Sequence, residues 1–376
     1  MVKHPKLFLI ITIGLGLLAS LLICWQWVET STTQSLADLN LNKVEIVERV
    51  KSKTIIVKGL YLTAYSAGNP KKMDEIIKLI DKTELNAVVI DVKDYSGKVL
   101  YDSNLLWIKE FKTKENRLGD VKALIKKLHE HNIYVIARQT VFQDPLLASK
   151  KSEWAIKSSA SSADGLWRDH KGLAWVDPTR IEVWNYNVAI AKEAIRFGFD
   201  EINFDYVRFP SDGNMKLVIY NTGNEPKYEV MRRFYTYLRN KLNKESAWIS
   251  LDMFGYVMER TDDMNIGQRL VDAVDNTDYI CPMMYPSHYS KNSLGYENPA
   301  EIPGLIIDNG MKKGLPIFEN KRAKVRPWLQ AFDIGAKYSD GPKIREQIDA
   351  VEKYDNAGWL LWNAANRYSV NGLLVE

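Results

Sequence analysis

The stretch Glu201-Ile-Asn-Phe-Asp-Tyr-Val-Arg-Phe-Pro210, entered through Arg196-Phe-Gly-Phe-Asp200, decides the fold. A helical pattern ends at Gly198, a short turn follows, and an apolar run of strand length begins. The two-residue period of a strand puts Ile202, Phe204 and Tyr206 on one face and Asn203 with Asp205 on the other. A carboxylate is thereby aimed at an otherwise buried surface near a strand's C-terminal end. Such an acid is costly to bury unless it has a partner or a chemical role.

Apolar runs of strand length recur on both sides of this segment, over residues 56–62, 87–91, 134–138, 201–207, 248–252, 279–284, 328–332 and 359–363. Helical patterns fall between them, over 71–83, 121–131, 182–197, 226–242, 266–274, 300–311 and 344–354. Eight strands alternating with helices predict an α/β chain whose parallel sheet closes into a (β/α)8 TIM barrel. An open doubly wound sheet is the alternative, and no Gly-x-Gly-x-x-Gly turn follows the first strand to support its nucleotide-binding form. Two connections are long, 139–179 and 209–225. Both follow a strand's C-terminal end, so both are expected to rise over one face of the barrel and wall a cleft.

Ahead of the barrel, residues 7–28 form an apolar run of about 22 residues, long enough to span a bilayer. Lys3, His4 and Lys6 precede it and are expected to stay in the cytoplasm. A cleaved signal peptide is the rival reading, but its apolar core is usually shorter, and no small-x-small cleavage site follows. The expected plan is a cytoplasmic flank and transmembrane anchor (1–28), a polar stalk (29–53) and the barrel (54–376). Either reading puts the barrel outside the cytoplasm, anchored to the cell membrane or secreted.

Hydrophobic residues make up 46% of the 376 and charged residues 26%, ample for one large core. The formal charge of +4 is small and its contributors are interspersed, which argues against a nucleic-acid partner. Cys24 lies in the apolar run and Cys281 in a strand, so no disulfide forms within the barrel, and neither has the context of a nucleophile. The five histidines include no helical pair beside a Glu, so no metal site is read and no organic cofactor is called for; a carboxylate pair holding Ca or Mg is the residual alternative. Gly-x-Ser-x-Gly elbows and Walker loops are absent.

Polar side chains recur at the expected strand ends: Asp91 with Lys93 and Asp94, Arg138 with Gln139, Asp205 with Arg208, Asp252, Tyr285, Gln330 with Asp333, and Asn363. In a barrel these converge on one mouth. On the fifth strand Trp248, Ser250 and Asp252 share a face while Ile249 and Leu251 cover the other. Two or three carboxylates around a concave mouth suit glycoside hydrolysis, in which one acid protonates the leaving oxygen and another attacks or activates water. Trp154, Trp167, Trp175 and Trp184, in or just after the long third connection, are expected to help form an aromatic surface for sugar rings, with Tyr206, Tyr256, Tyr285 and Trp362 near strand ends.

Beyond these features, Lys58-Gly-Leu-Tyr61, Val88-Val-Ile-Asp-Val-Lys-Asp94, Trp175-Val-Asp-Pro178, Gly198 through Pro210 and Pro282-Met-Met-Tyr-Pro286 resemble the glycoside hydrolase family DUF4015. The resemblance covers about residues 58–363, and Phe204-Asp-Tyr-Val-Arg-Phe-Pro210 is its most specific part. It implies a TIM barrel related to α-amylase and α-galactosidase barrels, with Asp205 as nucleophile on the fourth strand. The proton donor of such barrels lies on the fifth or sixth strand, which implies Asp252, because the sixth ends in Tyr285. A third acid after the seventh strand corresponds to Asp333. The expected substrate is a cell-envelope or environmental polysaccharide, bound by Asp91, Lys93, Asp94, Arg138, Trp175, Tyr206, Arg208, Tyr285, Gln330, Trp362 and Asn363. A non-catalytic barrel that binds glycan or organises the envelope is the rival. It predicts acids that are dispersed or neutralised by fixed ion pairs. A metal-dependent deacetylase or phosphoesterase would need His170 or His288 at the mouth.

Overall fold

The computed structural model describes residues 51–160 and 163–375. The apolar run 7–28 and most of the expected stalk lie outside the described residues. Among those described, no helix is long and apolar enough to cross a membrane. Lys51 and Ser52, read as stalk, pack on the barrel: Lys51 Nζ donates to the Ala247 carbonyl at 2.9 Å, and Trp248 Nε1 donates to the Ser52 carbonyl at 2.9 Å.

Eight strands form the barrel: β1 Val57–Leu62, β2 Ala87–Lys93, β3 Tyr134–Thr140, β4 Glu201–Asp205, β5 Trp248–Phe254, β6 Tyr279–Met283, β7 Trp328–Gln330 and β8 Gly358–Trp362. Each pairs in parallel with its successor, and β8 returns to β1 through Val57↔Gly358 to Leu60↔Leu361, which closes the sheet. The connecting helices are α1 Pro70–Ile80, α2 Val121–Glu130, α3 Ile181–Phe197, α4 Lys227–Leu242, α5 Leu270–Ala273, α6 Pro303–Gly314 and α7 Pro342–Glu352. Their starts follow local chemistry. Asn69 caps α1 by accepting from the Lys72 amide, ahead of Pro70 in the first turn, and Asp120 caps α2 through the Ala123 amide. α1 buries Met73, Ile76, Ile77 and Ile80, the stripe that faces the sheet.

Alternation along the strands builds two cores. Leu60, Val88, Ile90, Val135, Ile202, Leu251 and Leu329 point outward and pack with the helices. Val57, Ala87, Val89, Ile136, Cys281 and Leu360 belong to a separate apolar cluster that lines the interior. On β4 and β5 the interior turns polar, with Glu201, Asn203 and Asp205 beside Ser250 and Asp252. Low in the barrel the buried Glu201 carboxylate pairs with the buried Arg326 guanidinium, and it also accepts from Ser250 Oγ and from Tyr134 Oη at 3.3 Å.

The helix expected over 266–274 is reduced to the four residues of α5. Met264, Asn265 and Gly267 all have positive φ, a conformation that breaks a right-handed helix. β4 ends at Asp205, two residues early, because Tyr206 turns left-handed at φ 53°. β2 runs two residues past Asp91, through a register shift between Asp91 and Lys93.

Glu201→Gln is expected to destabilise the protein by about 3–5 kcal/mol, because it leaves the Arg326 charge buried without its counter-ion. Urea unfolding measures this. A loss below about 1 kcal/mol would mean that the pair carries no such load.

Candidate active site

Arg138, from β3, enters the mouth between three carboxylates from three other strands. Its Nη1 donates to Asp91 Oδ1 on β2 at 2.6 Å, its Nη2 to Asp205 Oδ2 on β4, and its Nε lies 3.7 Å from Asp252 Oδ2 on β5. All four groups are buried. Asp91 is completed by Tyr61 of β1, whose hydroxyl donates to Oδ2 at 2.6 Å. Stacked on Tyr61 at 3.9 Å is Trp362 of β8, and the guanidinium carbon sits 5.4 Å and 5.1 Å from these two rings.

The two acids of β4 and β5 differ in what surrounds them. Asp205 Oδ1 accepts from the Tyr206 amide at 2.5 Å, a contact made by the left-handed turn. Asp252 Oδ1 accepts from Asn203 Nδ2 at 2.8 Å and from the Trp328 indole N–H at 2.7 Å, which leaves Oδ2 as the oxygen free to carry a proton. Asp252 is 1% exposed. Its burial first, and the nearby Asp205 charge second, push its pKa up to about 8. Burial also raises Asp91, while its two hydrogen bonds and the Arg138 charge act in the opposite direction. Both candidate acids contact one guanidinium, so their facing oxygens lie within about 9 Å, a span that can serve one glycosidic bond.

Tyr206 borders this cluster. Tyr285 sits near enough for Asp252 and Asp205 to raise its pKa well above the usual value, although burial is the larger cause. Arg208 lies among Trp175, Tyr206 and the half-buried Phe254.

Other predicted site residues are placed elsewhere. Lys93 is buried against Asp144 at 2.8 Å and the Thr140 carbonyl at 2.7 Å. Asp94 closes a turn by accepting from Ser96. Gln330 is spent on the backbone, receiving the Ser287 amide and donating to Phe332 and Ile334. Asn363 donates to the carbonyls of Ala331 and Arg367. Asp333 is exposed and holds a loop through the Tyr338 and Ser339 amides, which lowers its pKa. With Ser339 and Asn363 it lines a cavity of about 590 Å³ beside β7 and β8.

The expected aromatic platform is corrected as well. Trp167, Trp175 and Trp184 are buried, their indole N–H groups bonded to the Asn214 carbonyl, Asp169 and the Pro178 carbonyl. The two long excursions pair with each other as an antiparallel ladder, Lys157↔Ile219 and Ser158↔Val218. Trp167 reaches the second excursion through the Asn214 carbonyl, whereas Trp184 lies on α3 and packs against Phe234 and Tyr237 of α4. Tyr61, Asn203 and Trp328 were not read as site residues, and Tyr61 and Trp328 do stand at the end of a strand and at the start of one. Among the described residues no group of three or more His, Cys, Asp or Glu is arranged to hold a metal ion.

A closed eight-stranded barrel with acids from adjacent strands meeting at its C-terminal mouth defines the class, and the sequence then narrows it. Residues 59–368 match DUF4015, described as "Putative glycosyl hydrolase domain", and the chain belongs to that family of glycosyl hydrolases. Among solved structures, a hypothetical protein from Ruminiclostridium thermocellum is 38% identical over 55% of this chain and 98% of its own, with a TM-score of 0.48. The glycoside hydrolase domain of PgaB (BpsB) from Bordetella bronchiseptica is 14% identical over 83% of this chain and 95% of its own, with a TM-score of 0.59. The α-galactosidase TtGalA from Thermus thermophilus is 10% identical over 84% of this chain and 60% of its own, with a TM-score of 0.50. The last two share the fold. No protein of curated function matches the chain.

The raised Asp252 pKa sets a sign for stability. Between the ordinary carboxylate range and about pH 8 the folded protein holds a proton there that the unfolded chain has released, so stability falls as pH rises through that window. Asp252→Asn is expected to remove a slope on the order of 1 kcal/mol per pH unit and to gain in Tm on the parent between about pH 5 and pH 8. Parallel Tm curves for the two proteins would refute it.

Proposed function

We propose that the protein is an extracytoplasmic glycoside hydrolase that cuts a polysaccharide of the cell envelope or surroundings, with Asp205 as nucleophile and Asp252 as general acid and base. The observation that carries this is the unequal pair. Asp205 is ion-paired with Arg138 and accepts from a backbone amide, whereas Asp252 is buried and keeps a proton at neutral pH. A carboxylate able to attack and a carboxylic acid able to donate are the two groups this reaction needs. Asp91 and Tyr61 hold Arg138 in place, and the half-buried Trp362 ring, backed by the buried Tyr61, is the aromatic surface on which a sugar can pack. Support for the location comes from the apolar run 7–28 and its basic flank, which suit a single-pass anchor with the barrel outside. One feature favours the binding-only reading, the ion pairing of Asp205 and Asp91 by Arg138.

Hydrolysis of a broad panel of polysaccharides and aryl glycosides, compared between the full chain and Asp205→Asn at matched Tm, separates the two. Loss of about 10⁴-fold or more in the variant is expected of a nucleophile. If neither protein cleaves and both bind one glycan equally, the barrel is a binding module. In the active chain kcat/KM is expected to decline as pH passes about 8, because Asp252 must be protonated to donate. A profile flat from pH 7 to about pH 10 would remove Asp252 from that role.

A further inference from the structure

Lys93, Arg138 and Arg208 stand near the C-terminal ends of β2, β3 and β4. The first two are neutralised, Lys93 by Asp144 and Arg138 by the carboxylates of Asp91 and Asp205. Arg208 is not. Asp205, Asp212 and Asp169 are near enough to act on its charge, yet none forms an ion pair with it, and among the described residues its one polar partner is the Phe209 carbonyl, 3.0 Å from Nη1. The residue is nevertheless only 8% exposed. An unpaired buried guanidinium is costly, and three aromatic rings offset part of that cost. Trp175, Tyr206 and Phe254 have their centroids 5.0, 5.2 and 4.8 Å from its Cζ. These rings also fix the fork. Trp175 is held by Asp169 at 3.0 Å, and Tyr206 is set by its left-handed turn directly after Asp205. The result is a rigid cation, three residues past the proposed nucleophile, with N–H groups left over and, among the described residues, no anion to receive them.

We infer that Arg208 determines specificity by receiving an oxyanion substituent, a carboxylate or a phosphate, carried by the sugar, so that the substrate is an acidic glycan. The inference rests on the hydrolase reading of the same mouth. A planar guanidinium matches either oxyanion with two parallel hydrogen bonds, which a neutral hydroxyl cannot reproduce.

The test uses the full chain carrying Asp205→Asn, so that no probe is consumed, and calorimetric titration with matched pairs. These are oligogalacturonate against its carboxyl-reduced form, and phosphorylated mannan oligosaccharide against the unphosphorylated form. One acidic member is expected to bind about 10- to 100-fold tighter than its neutral twin, and the pair that shows the preference distinguishes carboxylate from phosphate. Arg208→Met should abolish the preference and Arg208→Lys should keep part of it, with Arg208→Gln standing in if the Met variant does not fold. Equal binding of twins, a preference that survives loss of the charge, or no binding to any probe would each overturn the inference. The hydrolase reading is judged separately with Asp205 intact. Equal cleavage of neutral and acidic twins leaves that reading standing and removes this inference, whereas acidic preference without any cleavage does the reverse.

Discussion

The Arg138 guanidinium is the group on which the mouth depends. Three carboxylates this close inside a barrel repel one another, and without a cation they would have to take up protons or move apart. The planar fork of an arginine reaches toward three strands at once, which a lysine ammonium on its flexible stem does not reproduce. Burial then divides the labour. With Asp252 holding its proton, two carboxylates face one guanidinium, and the least exposed acid is the neutral one.

The strands that present these acids also hold the barrel together. β4 alternates Glu201, Asn203 and Asp205 toward the interior, so one two-residue period supplies the lower clamp to Arg326, the hydrogen bond to Asp252 and the upper carboxylate. β5 repeats the pattern with Ser250 and Asp252, and Asn203 joins the two strands through Ser250 Oγ at 3.0 Å. Scaffold and chemistry therefore occupy alternate levels of the same two strands. Polar interior positions lower stability unless every member is satisfied, which is a common cost of an active site.

Much of this was legible in the sequence, because a barrel strand writes its two faces into alternate residues. All eight strands were readable, and so was the convergence of Asp91, Arg138, Asp205 and Asp252, since those charges interrupt apolar runs. Residues beyond a strand's last pleat were not readable. Asp333 and Asn363 follow the same kind of run, but the chain curls there and their hydrogen bonds go to loop backbone, as do those of Gln330 at the very end of β7. The left-handed Tyr206 leaves no compositional mark, unlike a glycine. The tryptophans of the third connection looked like a sugar platform because their burial depends on a second excursion some 60 residues away. Glu201 and Arg326 are 125 residues apart, and no periodicity links them.

The seventh strand is the thinnest stave of the barrel. It is split: Lys324 and Val325 pair low on β6, Pro327 interrupts, and above the break only Trp328 registers with Met283. Pro282 removes a further backbone donor from β6. A cylinder is weakest where its hoops are fewest, and this joint has fewer pairings than its neighbours. The side chain just above the break is Trp328, whose indole N–H steadies Asp252. Each opening of the joint would withdraw that hydrogen bond, tying the looseness of the wall to the proton affinity of the acid within it.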